Sequence, residues 1–503
     1  MIDYASILQA LSLPNLFFAF VGVAAGIAIG ALPGLTATMA IAVLVPFTFS
    51  MPPSTALIAL GAIYTGAIYG GAYAAILLNT PGTPSAIATT FDGYPMAKKG
   101  DGDLALTLAC LVSVFGGLIG AFSLMGLAPA LATFSLRFGP VEYFWLAIFG
   151  LTLIASLGEG SLLKALIGGC IGLLLSMVGL AEVGGDVRMT GNSQILLGGF
   201  DVVAALIGLY CIPVLLDLIA TPTPHMTMSE HGRGYRLIEA IRSIAASKIN
   251  LLRSSIIGVV VGVLPGAGGS IASLVSYSEA RRSSKRPETF GEGEPEGVIA
   301  TESANNATVG GGLIPTLVLG IPGTPPDAVI LGALLVQGIR VGPQLFQHEG
   351  EVVYTFMYGL VIATLMMLPI GLVFGRYAFR LVINLPKAVL TPSVAFLTVL
   401  GSFAVNNNSY DVIQMVGLGG LAWVLNRYGF TPSPIVLGLI LGEIAEGGFV
   451  QAVLIGRAKG DVLAEFFARP ISIGIICLII LTLFYPLMRQ QTKRKGRKEQ
   501  FPN

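Results

Sequence analysis

Charge is what this chain has least of. Asp, Glu, Lys and Arg make up only 11% of its 503 residues, against about 25% in an ordinary soluble domain, and that excludes a globular water-soluble enzyme. Histidine is scarcer still. The three present, His225, His231 and His348, lie in polar connections away from any apolar-segment serine or carboxylate cluster, so a His-assisted membrane protease has no support. The four cysteines, Cys110, Cys170, Cys211 and Cys477, form no CxxC pair and have no histidine nearby. They are expected to be small buried hydrophobes rather than metal ligands. A formal net charge of +1 gives no pull toward nucleic acid. The first residues, Met1-Ile2-Asp3-Tyr4, lack the basic region of a cleavable signal peptide, and the first apolar run is expected to remain in the mature protein.

What replaces charge is apolar length. Hydrophobic residues make up 54% of the chain. Runs such as Leu104 to Ala132, Ile195 to Ile219 and Pro470 to Met488 reach the roughly 20 residues that cross a bilayer as a helix. The expected fold class is an all-α polytopic membrane protein of about a dozen spans, with further spans near 141–157 and 161–181. The 65 glycines mostly suit close helix packing, as in the Gly26-xxx-Gly30 spacing. Where Gly and Pro fall together, the helix is interrupted, and such a break must be sheltered by protein or a wet cavity.

Those breaks repeat. Gly26-Ile-Ala-Ile-Gly30-Ala-Leu-Pro33-Gly34 is answered 232 residues later by Gly258-Val-Val-Val-Gly262-Val-Leu-Pro265-Gly266. Gly70-Gly71 and Thr80-Pro-Gly-Thr-Pro84 are answered 241 residues later by Gly311-Gly312 and Ile321-Pro-Gly-Thr-Pro325. The nine-residue difference falls in the polar stretch Arg281 to Glu302, which stands where the first half has only the short turn Phe49 to Pro53. The expected organisation is a first membrane repeat at 1–220, a cytoplasmic linker at 221–253, a second repeat at 254–488 and a basic tail at 489–503.

Basic residues gather in the tail, in the linker, at Arg281 to Arg286 and at Lys98-Lys99, and the positive-inside rule places all of these in the cytoplasm. Their repeat equivalents, the turn near Ser50 and the stretch Arg340 to Glu351, are base-poor. That asymmetry predicts inverted-topology halves, which converge on a midplane site. It also predicts a re-entrant hairpin between Arg253 and Arg281, broken at Leu264-Pro265-Gly266. The stretch Arg457 to Arg469 fits poorly: either Asp461 and Glu465 offset its bases, or one of the last spans is misplaced.

Pro-Gly-Thr-Pro ends one helix and opens another, aiming unpaired N–H groups and a partial positive charge at whatever sits opposite. The tips at Gly82 to Ser85 and Gly323 to Pro326, together with Gly34 to Thr38 and Gly266 to Ser270, would make a carboxylate-sized cradle. The candidate substrate-binding residues are Gly34, Thr36, Thr38, Asn79, Thr80, Gly82, Thr83, Gly266, Gly268, Gly269, Ser270, Asn305, Asn306, Gly323 and Thr324. The bland alternative is that Pro-Gly only kinks packed helices. Asp327 follows the second tip, and its repeat partner is Ala86. It is the candidate ion-coupling residue, or else simply an N-terminal Asp satisfying a helix dipole. Asp92 reads as an exposed helix-end residue, and Glu288, Glu292, Glu294 and Glu296 as a solvated loop. Gly266-Ala-Gly-Gly-Ser270 lacks the Lys and the spacing of a phosphate loop.

Gly30-Ala-Leu-Pro-Gly-Leu-Thr-Ala-Thr38, Asn79-Thr-Pro-Gly-Thr-Pro-Ser85 running to Asp92-Gly-Tyr-Pro95, Gly262-Val-Leu-Pro-Gly266 and Gly320-Ile-Pro-Gly-Thr-Pro325 resemble the large membrane subunit of the tripartite tricarboxylate transporters. The resemblance covers nearly the whole chain. It implies a bacterial inner-membrane permease, not an enzyme, that works with a small membrane subunit and a periplasmic solute-binding protein. It further implies import of a di- or tricarboxylate with an ion gradient, commonly sodium, and no other cofactor. An elevator-like movement is expected from the paired hairpins. The competing readings are an anion channel and a stand-alone ion-coupled carboxylate transporter.

Overall fold

A computed structural model describes residues 4–157, 161–181, 183–220, 235–342, 344–378 and 387–483. In the first half, helices run α1 (Tyr4–Ala10), α2 (Leu13–Gly30), α3 (Ala37–Leu44), α4 (Pro53–Leu78), α5 (Thr90–Met96), α6 (Gly102–Ser135), α7 (Pro140–Leu157), α8 (Leu162–Ser176) and α9 (Val202–Ala220). The second half continues with α10 (Leu237–Ala246), α11 (Lys248–Val263), α12 (Gly268–Ser283), α13 (Pro295–Leu319), α14 (Pro325–Val336), α15 (Leu345–His348) and α16 (Gly350–Val373). It ends with α17 (Lys387–Asn406), α18 (Ser409–Arg427), α19 (Pro432–Lys459), α20 (Val462–Phe467) and α21 (Pro470–Leu483). The chain is an all-α, multi-pass membrane protein. Seven of the described helices are long and apolar enough to cross a bilayer, or eight if the bent pair α10–α11 counts as one span. The count falls short of a dozen because several apolar helices, α8 and α14 among them, have only 10–17 residues.

The chain divides into two compact units, each drawing on both sequence halves: residues 1–134 with 203–423, and residues 135–202 with 424–503. The first unit carries the repeat. In its first half α2 packs along α4, and in its second half α11 packs along α13. The contacts match residue for residue. A Cβ on Gly26 would strike the Ile63 carbonyl and one on Gly30 that of Ala67, while Cβ atoms on Gly258 and Gly262 would strike the carbonyls of Ala304 and Thr308. Only glycine lets the backbones come this close, which is the packing logic of small residues in membrane helices. The halves also meet reciprocally. Helix α3 touches α14, and α12 touches the turn Pro84–Ala86, which opens the segment equivalent to α14. Exchanged contacts of this kind are the mark of a two-fold relation.

Helices α11 and α12 form a hairpin around the break at Leu264–Ala267. They pack on one another and on α13, and Arg253 near the start of α11 lies 3.6 Å from Glu279 near the end of α12. Each helix has 16 residues, about 24 Å at 1.5 Å per residue, so each arm is shorter than a bilayer's roughly 30 Å core. Around the open end of this hairpin the basic segments gather. Lys99 Nζ donates to the Glu292 carbonyl at 2.5 Å, Arg236 pairs with Asp101, and Asn250 Nδ2 donates to the Glu296 carbonyl at 3.0 Å. Just before the base-poor equivalents in each half, Gln337 Nε2 donates to the Thr48 carbonyl at 3.5 Å.

Three expectations are corrected here. Asp92 is buried, because its Oδ1 accepts backbone N–H bonds from Gly291, Gly293 and Glu294, each 2.8 Å. The glutamates of 288–296 are not all a solvated loop. Glu294 is buried between Thr289 and Arg286, and Glu296 already lies in the first turn of α13. Cys110 and Cys211 are buried, but Cys170 and Cys477, each on an apolar helix, are exposed on the chain.

In the second unit α8 and α19 interlock through glycines: Gly172 lies against the Ile435 carbonyl and Gly438 against that of Gly169. Of the bases in 457–469, Lys459 and Arg469 are paired with acids, whereas Asp461 caps α20 by accepting from Ala464 N. Glu465 pairs with Lys459 at 2.8 Å and Arg469 at 3.2 Å, and Arg469 also holds the buried Glu142 at 2.9 Å.

Candidate substrate and ion site

The first unit has three helix starts produced by Pro-Gly breaks, and they differ in how their free N–H groups are satisfied. Helix α3 is capped by its own Thr36, whose Oγ1 accepts from Met39 N at 3.2 Å. Helix α14 is capped by Thr324. Helix α12 follows the left-handed Gly266 (φ +83°), opens on the left-handed Gly268 (φ +58°), and has Ala267 at its N-cap with no side-chain cap. Its first-turn donors are therefore left for something else.

What faces them is a polar patch of α13. A Cβ on Gly269 would meet Asn305 Oδ1, the Ser85 Cβ and Thr308 Oγ1, and one on Gly268 would lie 3.7 Å from Thr324 Cγ2. Asn305 is fully buried, and neither its Nδ2 nor its Oδ1 has a hydrogen-bond partner. The two-fold makes that vacancy of bonding informative. The residue equivalent to Asn305 in the first half is Tyr64, and its hydroxyl lies 2.8 Å from Thr324 Oγ1 at the second tip. At the first tip, Thr83 Oγ1 bonds Ser85 Oγ at 3.1 Å, which leaves Asn305 aimed at the open end of α12.

Asp327 makes the second focus. It is fully buried in the first turn of α14, and its Oδ2 accepts from Thr324 Oγ1 at 2.6 Å. The single proton of Thr324 is thereby used, so Tyr64 donates to Thr324. Asp327 Oδ1 has no partner. The carboxylate lies over Gly312, where any Cβ would collide with it. In the first half the atom over the equivalent Gly71 is Thr83 Oγ1, so a hydroxyl stands where the second half has a carboxyl group.

The expected residues divide accordingly. Gly268, Gly269, Asn305, Thr324 and Asp327 are brought together, and Ser270 begins α12 beside them, half-buried. Gly266 N donates to the Gly323 carbonyl at 2.8 Å, and Gly82 packs between Gly71 and the Gly30 carbonyl, so these glycines shape the breaks. Thr38 is buried within α3. Gly34 (φ +92°) is exposed and faces Leu218. Asn79 and Thr80 are also exposed, Asn79 ending α4 in the left-handed conformation and Thr80 bonding the Leu78 carbonyl. The first tip opens only a 3₁₀ turn, Pro84–Ala86, before α5.

Sequence reasoning missed two members. Tyr64 sits in an apolar run, and nothing local marks its hydroxyl. Glu302 was counted with the polar stretch, but it lies two turns inside α13, fully buried, within hydrogen-bond distance of Thr89 Oγ1 at 2.5 Å and Ser113 Oγ at 3.1 Å. Asn306 joins it by donating to Ser113 at 2.8 Å. The repeat itself held the signal: the offset of 241 residues maps Thr301-Glu-Ser-Ala-Asn-Asn-Ala-Thr308 onto Leu60-Gly-Ala-Ile-Tyr-Thr-Gly-Ala67, a polar core segment opposite an apolar one.

Residues 16–437 match the family described as the Tripartite tricarboxylate transporter TctA family. An uncharacterized 52.8 kDa protein from the TAR-I ttuC' 3' region of Agrobacterium vitis is 37% identical over 481 residues, covering 94% of each chain. An uncharacterized protein from the TAR-II ttuC' 3' region of the same organism is 36% identical over 232 residues, 45% of this chain and 94% of that one. No solved structure matches.

Proposed function

We propose, from the premise that this chain belongs to the tripartite tricarboxylate transporter TctA family, that it imports an organic di- or tricarboxylate through the site at the start of α12. As a member it is a transporter subunit that works with partner subunits. The finer assignment is to a bacterial inner membrane, with the C-terminus cytoplasmic, beside a small membrane subunit and a periplasmic binding protein that delivers the substrate.

One observation carries the substrate reading. Asn305 is fully buried with both amide atoms unbonded, against the one Pro-Gly helix start among the three that has no side-chain cap. Buried polar groups in proteins are nearly always satisfied, and free first-turn N–H groups favour an anion. A carboxylate placed there takes a bond from Asn305 Nδ2 and from the backbone of Gly269 and Ser270. Asp327, with one oxygen held by Thr324 and one free, is the place for a coupling sodium ion. Its separation from the anion cradle by only the width of a tip gives the two charges a reason to bind together. The two-fold of the first unit, combined with the basic loops at one set of ends, fits inverted halves and an elevator-like movement.

The test is uptake into proteoliposomes holding this chain with both partner proteins, run against a carboxylate panel with and without a sodium gradient. Sodium-driven uptake that requires the binding protein supports the reading. Passive flux of the same anions without it makes the chain a channel.

A further inference from the structure

The polar centre of α13 holds a second carboxylate that the substrate and sodium sites do not use. Glu302 lies ten residues before Gly312, which is about 15 Å along the helix at 1.5 Å per residue from the glycine under Asp327. Its neighbours come from three elements of the first unit. Thr89 belongs to the segment after the first tip and Ser113 to α6, both in the first half, and Thr301 and Asn306 flank it on α13.

No charged side chain faces it among the described residues. The tip segment offers Thr89, while its own carboxylate, Asp92, has Oδ1 on the N–H groups of Gly291, Gly293 and Glu294. Helix α6 offers Ser113, and Cys110 one turn earlier bonds the Leu368 carbonyl. Helix α12 offers Ser273, which bonds the Thr301 carbonyl. An ionised carboxylate buried among neutral groups alone is far more costly than the neutral acid.

The hydroxyl protons tell the same story. Thr89 Oγ1 lies 2.5 Å from Glu302 Oε1 and 3.2 Å from Thr301 Oγ1, and Thr301 Oγ1 lies 3.0 Å from the Gly297 carbonyl. If Glu302 is the acid, it donates to Thr89, Thr89 to Thr301 and Thr301 to Gly297, so each hydroxyl gives one proton and receives one. Ser113, which receives from Asn306, gives its proton to Oε2. The 2.5 and 3.1 Å contacts also close the carboxyl directly onto its partners, leaving no gap for a metal ion between them.

We propose that Glu302 is a proton-binding site of the transporter, distinct from the Asp327 site, in which the bound proton fastens the first-tip segment and α6 to the second-half helix α13. Release of the proton leaves a carboxylate that requires water, and water reaches it only if the Thr89 segment draws away from α13. Proton binding is thereby linked to the position of the first tip.

Infrared spectroscopy of the full-length chain in membranes reads this without any substrate. The expected result is a carbonyl band of a protonated carboxylic acid at neutral pH that vanishes in Glu302→Gln and at alkaline pH. Ser113→Ala, which removes the donor to Oε2, shifts the same band and serves if Glu302→Gln does not fold. A wild-type spectrum with no such band, or a band insensitive to both substitutions, overturns the proposal.

The transport arm uses the complete reconstituted system and citrate as probe, with succinate substituted if citrate is not taken up. One unit of lumen-alkaline pH gradient raises the accumulation ratio about 10-fold per proton carried, and Glu302→Gln abolishes that response. A gradient response equal in the wild type and Glu302→Gln overturns the coupling. Because the infrared arm needs no transport, failure of the proton site and failure of the transport reading are distinguishable.

Discussion

Replacing Asn305 with leucine keeps the size and branching of the side chain and removes an amide whose two polar atoms bond nothing within the chain. A buried polar group left without partners costs about 1–3 kcal/mol. The substitution therefore stabilises the substrate-free protein by about 1 kcal/mol or more. A hydrogen bond from the same amide to a charged carboxylate contributes about 1.5–3 kcal/mol, so losing it weakens substrate binding about 10- to 100-fold. The two effects have opposite signs. Thermal unfolding in detergent without substrate should show Asn305→Leu as stable as the wild type or more so, while uptake in the reconstituted system shows KM raised about 10- to 100-fold. A protein that is less stable with an unchanged KM refutes the reasoning, because Asn305 would then be held by the chain and not by the substrate.

Gly26→Ala sets a Cβ against the Ile63 carbonyl and the Ala67 nitrogen, backbone atoms that cannot give way. It should cost about 1–3 kcal/mol in unfolding assays, whereas Gly126→Ala, with nothing within 4 Å of its Cβ, should be neutral or mildly stabilising. Asp327→Asn should abolish the dependence of uptake on the sodium gradient, and unchanged dependence in the flux assay removes the ion from Asp327. In the second unit Lys459 first, then Arg469, holds the Glu465 carboxyl below its usual range. A lowered native value means stability present above the ordinary Glu value of about 4.3 and lost as pH falls through the depressed one. Thermal melts at descending pH should show this loss in the wild type and a flatter profile in Glu465→Gln.

The breaks were legible because Pro and Gly act locally. Pro265-Gly266 and Pro322-Gly323 end helices wherever they occur, and the sequence offsets paired the halves correctly at Gly26 with Gly258 and at Gly30 with Gly262. Partners that are distant in sequence were not legible. Asp92 has the look of an exposed helix end until Gly291, Gly293 and Glu294, some two hundred residues on, fold over it. Glu302 sits at the end of a charged stretch, and charge density there suggested a loop, although α13 had already begun at Pro295. Within the candidate site, residue type singled out Asn305 and Asp327 as candidates, but not which helix start lacks a cap. That depended on Thr36 and Thr324 turning their hydroxyls back onto their own helices, while Ala267 has no hydroxyl to turn.

Ser270, half-buried in the uncapped first turn of α12, gives the most direct test of an anion cradle there. In a chain whose four native cysteines are replaced, Ser270→Cys should react with a small thiol reagent, and the transported carboxylate should protect it at concentrations near KM, whereas an uncharged amide of the same acid should not. A reaction rate unaffected by the carboxylate, or slowed equally by the amide, would contradict the placement of the substrate at α12.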